Sequence, residues 1–203
     1  MSASGTYLLI DISNSFTKAA FAWRGRIGRP ARLATAKLTS RWLQGLQKKR
    51  EAALIVVSSV VPDKNRLVRR AAGKAEVLWL GPRLELGIGI DYPRPESIGA
   101  DRLANAVAVT ALYGCPAIVV DFGTAVTFDI VSERRTYIGG VIAPGLEAMT
   151  NFLYQRTALL PRVSLREPRR AVGKSTIEAM RSGAVLGYLG LVREIIARIR
   201  AEQ

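Results

Sequence analysis

The sequence predicts an α/β protein made of two mixed-sheet units, residues 1–114 and residues 115–203. Three observations carry this reading. Short apolar runs bounded by turn residues alternate with amphipathic stretches of helical period. Hairpin-like strand pairs open both halves, which mixes strand directions within a sheet. The order strand–acid–turn–strand occurs around Asp11 and recurs around Asp121, about 110 residues later. A duplicated β-β-β-α-β unit would set the two acid-bearing turns facing each other across a cleft.

Taken in order, residues 7–10 read as a strand ending on Asp11, and Ile12-Ser13-Asn14-Ser15 as a polar turn. Residues 16–23 form a second strand. Turn residues at 24–26 and 28–30 lead to a third strand over 33–38. Thr39 or Ser40 caps a helix to about residue 50. A short buried strand follows at 54–57, then a helix opened by Asp63 and stopped by Gly73. Residues 77–80 are a strand, and 81–97, rich in glycine and proline, form a surface loop. The helix over 99–113 presents Leu103, Val107 and Leu112 on its apolar side, and Gly114 and Pro116 close it.

In the second half, residues 117–121 read as a buried strand ending on Asp121, with Gly123 and Thr124 next. A strand over 126–131 ends near Asp129. A helix follows Pro144-Gly145 to about residue 157, and residues 162–174 form a basic loop. The last helix starts near Ser175 and carries a stripe of Ile177, Met180, Ala184, Tyr188, Leu191, Ile195 and Ile199. Glu194 and Arg198 pair on it at i,i+4.

The 49% hydrophobic and 23% charged content of the 203 residues belongs to a folded globular chain. No apolar run approaches a membrane span, and the N-terminus lacks the basic region of a secretory leader. One cysteine, Cys115, excludes an intramolecular disulfide, and the cytoplasm is the expected compartment. The net charge of +14 is spread along the chain without a recognition-helix pattern or aromatic interleaving. A solvated basic surface that attracts anionic substrates is expected, rather than nucleic-acid binding. There is no histidine, so a general base must be Asp, Glu, Lys, Tyr or Cys.

Two motif lookalikes fail. Gly173-Lys174-Ser175 resembles the end of a P-loop, but Pro168 stands where the first glycine is needed and no strand precedes it. Gly87-Ile88-Gly89 lacks the third glycine of a dinucleotide fingerprint, since Tyr92 holds that position. Three acids remain. Asp11 and Asp121 close strands beside small and hydroxyl residues, a pattern suited to Mg²⁺ and phosphate. The same pattern also describes a hairpin with a polar turn. Asp101, in Gly99-Ala100-Asp101-Arg102, reads either as an acid satisfying a helix N-terminus or as a base for a substrate hydroxyl. Local sequence does not separate the two.

The chain resembles the type III pantothenate kinases, of the acetate-kinase, sugar-kinase, Hsp70 and actin superfamily. The resemblance rests on Leu9-Ile10-Asp11 with Asn14-Ser15, on Ser59-Val60-Val61-Pro62, and on Tyr92-Pro93 leading to Gly99-Ala100-Asp101-Arg102-Leu103-Ala104-Asn105-Ala106. It continues through Asp121-Phe122-Gly123-Thr124-Ala125, Gly139-Gly140, Pro144-Gly145 and Thr176-Ile177-Glu178-Ala179-Met180 with Ser182-Gly183. It implies duplicated actin-like, ribonuclease-H-like units and ATP-dependent phosphorylation of pantothenate to 4'-phosphopantothenate, which opens coenzyme A synthesis.

By that resemblance the first phosphate loop, contacting ATP, comprises Asp11, Ile12, Ser13, Asn14, Ser15, Phe16, Thr17 and Lys18, with Asp11 organising Mg²⁺–ATP. Asp101 is the catalytic proton acceptor. Tyr92, Gly99, Ala100, Asp101, Arg102 and Thr176 line the pantothenate pocket, with Arg102 toward its carboxylate. Asp121 holds a monovalent cation, K⁺ or NH₄⁺, and Thr124 contacts ATP phosphate. The resemblance also implies a homodimer.

Two departures from the family pattern stand out. Ser13 replaces the glycine of Asp-x-Gly-Asn-Thr, so its Cβ is expected to crowd phosphate or strain the turn. The family continues with a strand, loop and helix bearing Gly-Gly against adenosine, so the second unit is expected to be incomplete. These departures support a second reading of another class, a catalytically weak family member acting as a binding or regulatory protein.

Overall fold

The computed structural model describes residues 5–203 and divides into two units, Met1–Gly114 and Cys115–Gln203. In the first unit, strict alternation builds the central strand. In β1 (Tyr7–Ile12) Leu8, Ile10 and Ile12 are buried while the residues between them are half-exposed. The hairpin partner β2 (Phe16–Trp23) runs antiparallel to β1, and the short β3 (Arg26–Ile27) and β4 (Ala31–Ala34) both pair with β2.

The helix α1 (Ser40–Lys49) starts on Thr39, whose hydroxyl accepts the Trp42 N–H at 3.2 Å. Next, β5 (Leu54–Ser59) lies parallel to β1. After α2 (Pro62–Ala71), with proline at its first turn, β6 (Glu76–Trp79) lies parallel to β5. The sheet order is β3-β2-β1-β5-β6, an α/β sheet of mixed direction as read from the sequence. Its core holds Leu8, Ile10, Ile12, Ile55, Val57 and Val68. The two-residue β7 (Gly89–Ile90) interrupts the long loop, and α3 (Ala100–Leu112) ends the unit.

Two expectations change here. The third strand stops at Ala34, and Thr35–Lys37 forms a 3-10 turn. Thr35 is drawn inward: its hydroxyl donates to the Ser13 carbonyl at 2.7 Å and its N–H to the Ser15 carbonyl at 3.0 Å. On α3 the buried residues are Ala100, Leu103, Ala106 and Thr110, while Leu112 is 75% exposed. The buried stripe is therefore Leu103 flanked by small residues, and the Thr110 hydroxyl joins it by bonding the Ala106 carbonyl.

The second unit opens on an antiparallel meander of β8 (Ala117–Phe122), β9 (Ala125–Val131) and β10 (Thr136–Pro144), followed by α4 (Leu146–Arg156) and α5 (Thr176–Glu202). Val126, Phe128 and Ile130 pack with Tyr188 and Ile199 of α5, and Leu191 and Ile195 of the predicted stripe lie against them. Ile177, at the other end of that stripe, is 46% exposed. The Arg198 Nε donates to Glu194 at 2.7 Å.

Strand β8 is only half-buried, with Asp121 and Phe122 exposed, because within this unit it flanks β9 alone. Asp129 does not end its strand. It lies inside β9, fully buried, and accepts the Tyr137 hydroxyl at 3.3 Å. The first unit runs through four strands, β1 to β4, into α1 and then β5, whereas the second runs through three, β8 to β10, into α4 and then a further helix. No described helix is long and apolar enough to cross a membrane. Part of the basic charge is spent on aromatic faces, with Arg32 over Phe16 at 3.6 Å and Arg50 over Trp23 at 4.2 Å.

Candidate active site

In the first unit the acids converge at the carboxyl end of β1. Asp11 is the penultimate residue of that strand, paired in register with Lys18 on one side and Ser58 on the other. The Lys18 ammonium stands 3.6 Å from its carboxylate, and the Ser13 hydroxyl donates to both carboxylate oxygens at 3.1 Å. Burial pushes the Asp11 carboxyl above its ordinary range. Lys18 and the Ser13 hydroxyl pull it back, and the negative charge of Asp101 pushes it up again. Two carboxylates near enough to feel one another therefore share this end of the unit.

Asp101 comes from the first turn of α3, where an acid is favoured by the helix dipole. Its Oδ1 accepts the Arg102 N–H at 2.8 Å. No side chain caps this helix, and Gly99 stands at the cap position. A Cβ on Gly99 would lie 2.5 Å from Asp101 Oδ1 and 3.4 Å from Val60, so glycine is what lets the carboxylate fold back over the helix start. Ala100 is buried beneath it, and Arg102 and Tyr92 are half-buried.

The first loop divides by function. Asn14, Ser15 and Phe16 are exposed at the turn, and the Ser13 N–H donates to the Phe16 carbonyl. Ile12 and Thr17 are fully buried. Alternation along β1 and β2 puts both on the core face, where the Thr17 and Thr35 hydroxyls bond at 3.0 Å and the Ile12 carbonyl accepts the Val60 N–H. Any contact of these two residues with a ligand would therefore be made through the backbone. The strain expected at Ser13 is absent. Arg24 and Arg135 are the non-glycine residues with positive φ among the described residues, so Ser13 needs no left-handed backbone.

In the second unit, Phe122 and Ala125 bracket a tight turn in which the Gly123 N–H donates to the Ala125 carbonyl at 2.9 Å. Asp121 and Thr124 are exposed on it, and the Phe122 ring leans on Tyr188 with centroids 6.2 Å apart. Gly145, the cap of α4, donates its N–H to the Thr124 carbonyl at 3.0 Å. A Cβ there would meet the Thr124 carbonyl oxygen at 2.5 Å and the Gly123 carbonyl oxygen more closely still. The backbone of Gly145 is extended, so close approach rather than φ requires glycine. Gly145→Ala is expected to lower the stability of this unit by about 1–3 kcal/mol, the cost of an overpacked contact. Thermal unfolding measures it, and an unchanged midpoint would mean that the turn yields without resistance.

Thr176 is the first residue of α5 and is exposed. The neighbouring P-loop lookalike is a helix cap. Ser175 Oγ accepts the Glu178 N–H at 3.2 Å, and the Glu178 carboxylate accepts the Lys174 N–H at 2.7 Å.

The donor set around Asp11 is one half-buried carboxylate with hydroxyls and a lysine, without thiol or imidazole. It suits a hard cation that keeps water and phosphate oxygens as its remaining ligands. Among the described residues no cluster of three or more acidic, histidine or cysteine ligands is placed to hold a metal by itself. Thr35 and Ser58 escaped the sequence reading. Thr35 sits in what reads locally as strand, and nothing in Ser58-Ser59 distinguishes the first hydroxyl from the second.

The family model described as Type III pantothenate kinase matches residues 7–198. A type III pantothenate kinase of Akkermansia muciniphila is 48% identical over 207 residues, covering 97% of this chain and 81% of that protein. One from Methylacidiphilum infernorum is 43% identical over 195 residues, covering 96% of this chain and 72% of that protein. Among solved structures, a Campylobacter jejuni protein assigned to the Baf family of transcriptional activators superposes with a TM-score of 0.59 at 23% identity. That match covers 93% of this chain and 78% of the other, and it shows a shared fold.

Proposed function

Since the chain belongs to the type III pantothenate kinase family, an ATP- and divalent-metal-dependent kinase that phosphorylates pantothenate in coenzyme A synthesis, we propose how its own residues carry that reaction. Asp101 accepts the proton of the pantothenate primary hydroxyl as that oxygen attacks the γ-phosphorus. The new P–O bond forms while the bond to the β-phosphate oxygen breaks, giving 4'-phosphopantothenate and ADP. The support for this role is the placement of Asp101 on a helix start stripped to glycine, near a second acid, Asp11, whose ionisation it opposes.

Asp11 takes the Mg²⁺ side of Mg²⁺–ATP, with Ser13, Asn14, Ser15 and Phe16 offering turn backbone and hydroxyls, and Lys18 its positive charge. When bound, the divalent cation neutralises charge on the triphosphate. Ser13 keeps the Asp11 carboxylate oriented by sharing its one hydroxyl proton between the two carboxylate oxygens. Tyr92, Gly99, Ala100, Arg102 and Thr176 hold pantothenate, with the Arg102 guanidinium on its carboxylate. In the second unit Asp121 holds K⁺ or NH₄⁺ and Thr124 bonds phosphate.

The chain works in the cytoplasm as a homodimer. Support for self-association comes from α4, which leaves Met149, Phe152, Leu153 and Tyr154 between 37% and 60% exposed.

Release of ADP, coupled to an optical readout, tests the assignment. Turnover is expected with pantothenate, ATP, Mg²⁺ and K⁺ together, and loss of most of it when either cation is omitted. Background turnover only, in a chain shown folded by thermal melting and dimeric by light scattering, would overturn the proposed mechanism in favour of a binding or regulatory role.

A further inference from the structure

Lys18, Asp11 and Ser58 stand opposite one another in register across β2, β1 and β5. Residues paired this way point to the same face of a sheet. The next row along the chain, Thr17, Ile12 and Ser59, therefore points to the other face, and its residues are spoken for. Thr17 bonds Thr35, Ile12 is core, and the Ser59 hydroxyl donates to Asn65 Oδ1 at 2.7 Å while accepting the Val61 N–H at 3.3 Å. Ser59 thereby holds the turn from β5 into α2.

Ser58 is different. Its Oγ is buried and has no hydrogen-bond partner. An unpartnered buried hydroxyl costs folding free energy that alanine at the same place would not, so its presence asks for an acceptor that the apo chain lacks. The position is informative as well. One row back on the same face the residues are apolar, Leu9 beside Val56, so the face does not otherwise demand a polar side chain. The hydroxyl appears only in the row of Asp11, at the carboxyl end of two parallel strands. The start of α3 lies close by, with Gly99 near Val60.

We propose that the Ser58 hydroxyl is a binding group of the first-unit nucleotide site, donating to an oxygen of the cation-bound triphosphate or of the cation's water shell beside Asp11. The inference rests on the assignment of Asp11 to Mg²⁺–ATP. Ser13 and Ser58 then divide the work around that acid. Ser13 bonds the carboxylate itself, and Ser58 bonds what the carboxylate holds.

The test compares the full chain with Ser58→Ala, Ser58→Cys and Ser59→Ala, without pantothenate. Calorimetry reads the affinity for a non-hydrolysable ATP analogue with Mg²⁺, and separately for Mn²⁺ alone; thermal melting reads the apo fold. Ser58→Ala and Ser58→Cys are expected to weaken nucleotide binding about 5–10-fold, one hydrogen bond's worth, with an apo midpoint equal to or above that of the parent. Ser59→Ala should instead lower the midpoint and leave the affinity of the folded fraction unchanged. Weaker Mn²⁺ binding alongside would assign the acceptor to the water shell, and unchanged Mn²⁺ binding to a phosphate oxygen. Nucleotide affinity within twofold of the parent in both Ser58 variants would overturn the inference while leaving Asp11 in its role. A parent chain that binds no nucleotide with Mg²⁺ would remove the Asp11 assignment itself.

Discussion

Asp101→Asn is expected to lower kcat by about 10²–10⁴-fold, the contribution of a positioned general base. The substitution is chosen because it changes little else. An asparagine carbonyl oxygen can still accept the Arg102 N–H that Asp101 Oδ1 accepts at 2.8 Å, and the amide fits the space that Gly99 leaves open. What disappears is an anion able to take the hydroxyl proton, together with a small favourable interaction at the N-terminus of α3. The thermal midpoint should therefore stay within about 2 °C of the parent. The pantothenate KM should move far less than kcat, since the proton is transferred only in the transition state. A variant that turns over within threefold of the parent would show that the hydroxyl proton leaves by another route.

Asp11→Asn should separate stability from activity. In the folded chain burial raises the Asp11 pKa above its ordinary value of 3.8, only partly offset by Lys18 and Ser13, and Asp101 adds to the rise. A carboxyl whose folded pKa lies above its unfolded one favours folding fully below pH 3.8, and loses that contribution as pH rises through the folded value. At neutral pH the parent therefore folds with an ionised group that would be better solvated in the unfolded chain. Asparagine removes that penalty and keeps the bond to the Ser13 hydroxyl. The exposed Lys18 pairing that is lost contributes little.

The apo variant is thus expected to melt slightly higher than the parent at pH 7, by no more than about 3 °C because the side chain is a third exposed, with the difference vanishing below pH 3.8. Turnover and Mg²⁺–nucleotide affinity should both collapse. A variant less stable at pH 7 would mean that the Lys18 and Ser13 contacts outweigh burial. Full nucleotide affinity would remove Asp11 from the cation site. Such a cost at a functional carboxylate is what a site preorganised for a cation carries when the cation is away.

How much of this was legible in the sequence differs from residue to residue. The first hairpin, α1 with its Thr39 cap, α2 (which starts at Pro62, one residue before the expected Asp63) and the capped start of α5 follow from local rules, because alternation, caps and turn residues act within a few positions. The Gly-Ala-Asp-Arg and Asp-Phe-Gly-Thr-Ala blocks were visible as motifs, and the family match supports the chemistry that they suggest. The third strand was misread because Thr35 bonds Ser13 and Ser15, some 20 residues back, and those contacts override a run with strand propensity. Leu112 was misplaced because an apolar residue on a helix is not thereby a core residue, and small Ala100 and Ala106 let α3 approach closely instead.

By itself, then, the sequence determined the α/β class, the strand–acid–turn grammar of both units and the family, and it excluded histidine from the chemistry. Each of these is written in local order and composition. Only the tertiary structure decided which hydroxyls are already committed. Strand register sets Ser58 beside Asp11 and Ser59 on the opposite face, and it buries Thr17 while leaving Lys18 exposed. It also decided that Gly145 is required by the backbone carbonyl oxygens that approach it, and that Gly99 leaves room for the Asp101 carboxylate in its present position. Register and close approach arise from pairing between distant segments, and no periodicity along the chain encodes which atoms will then be left without a partner.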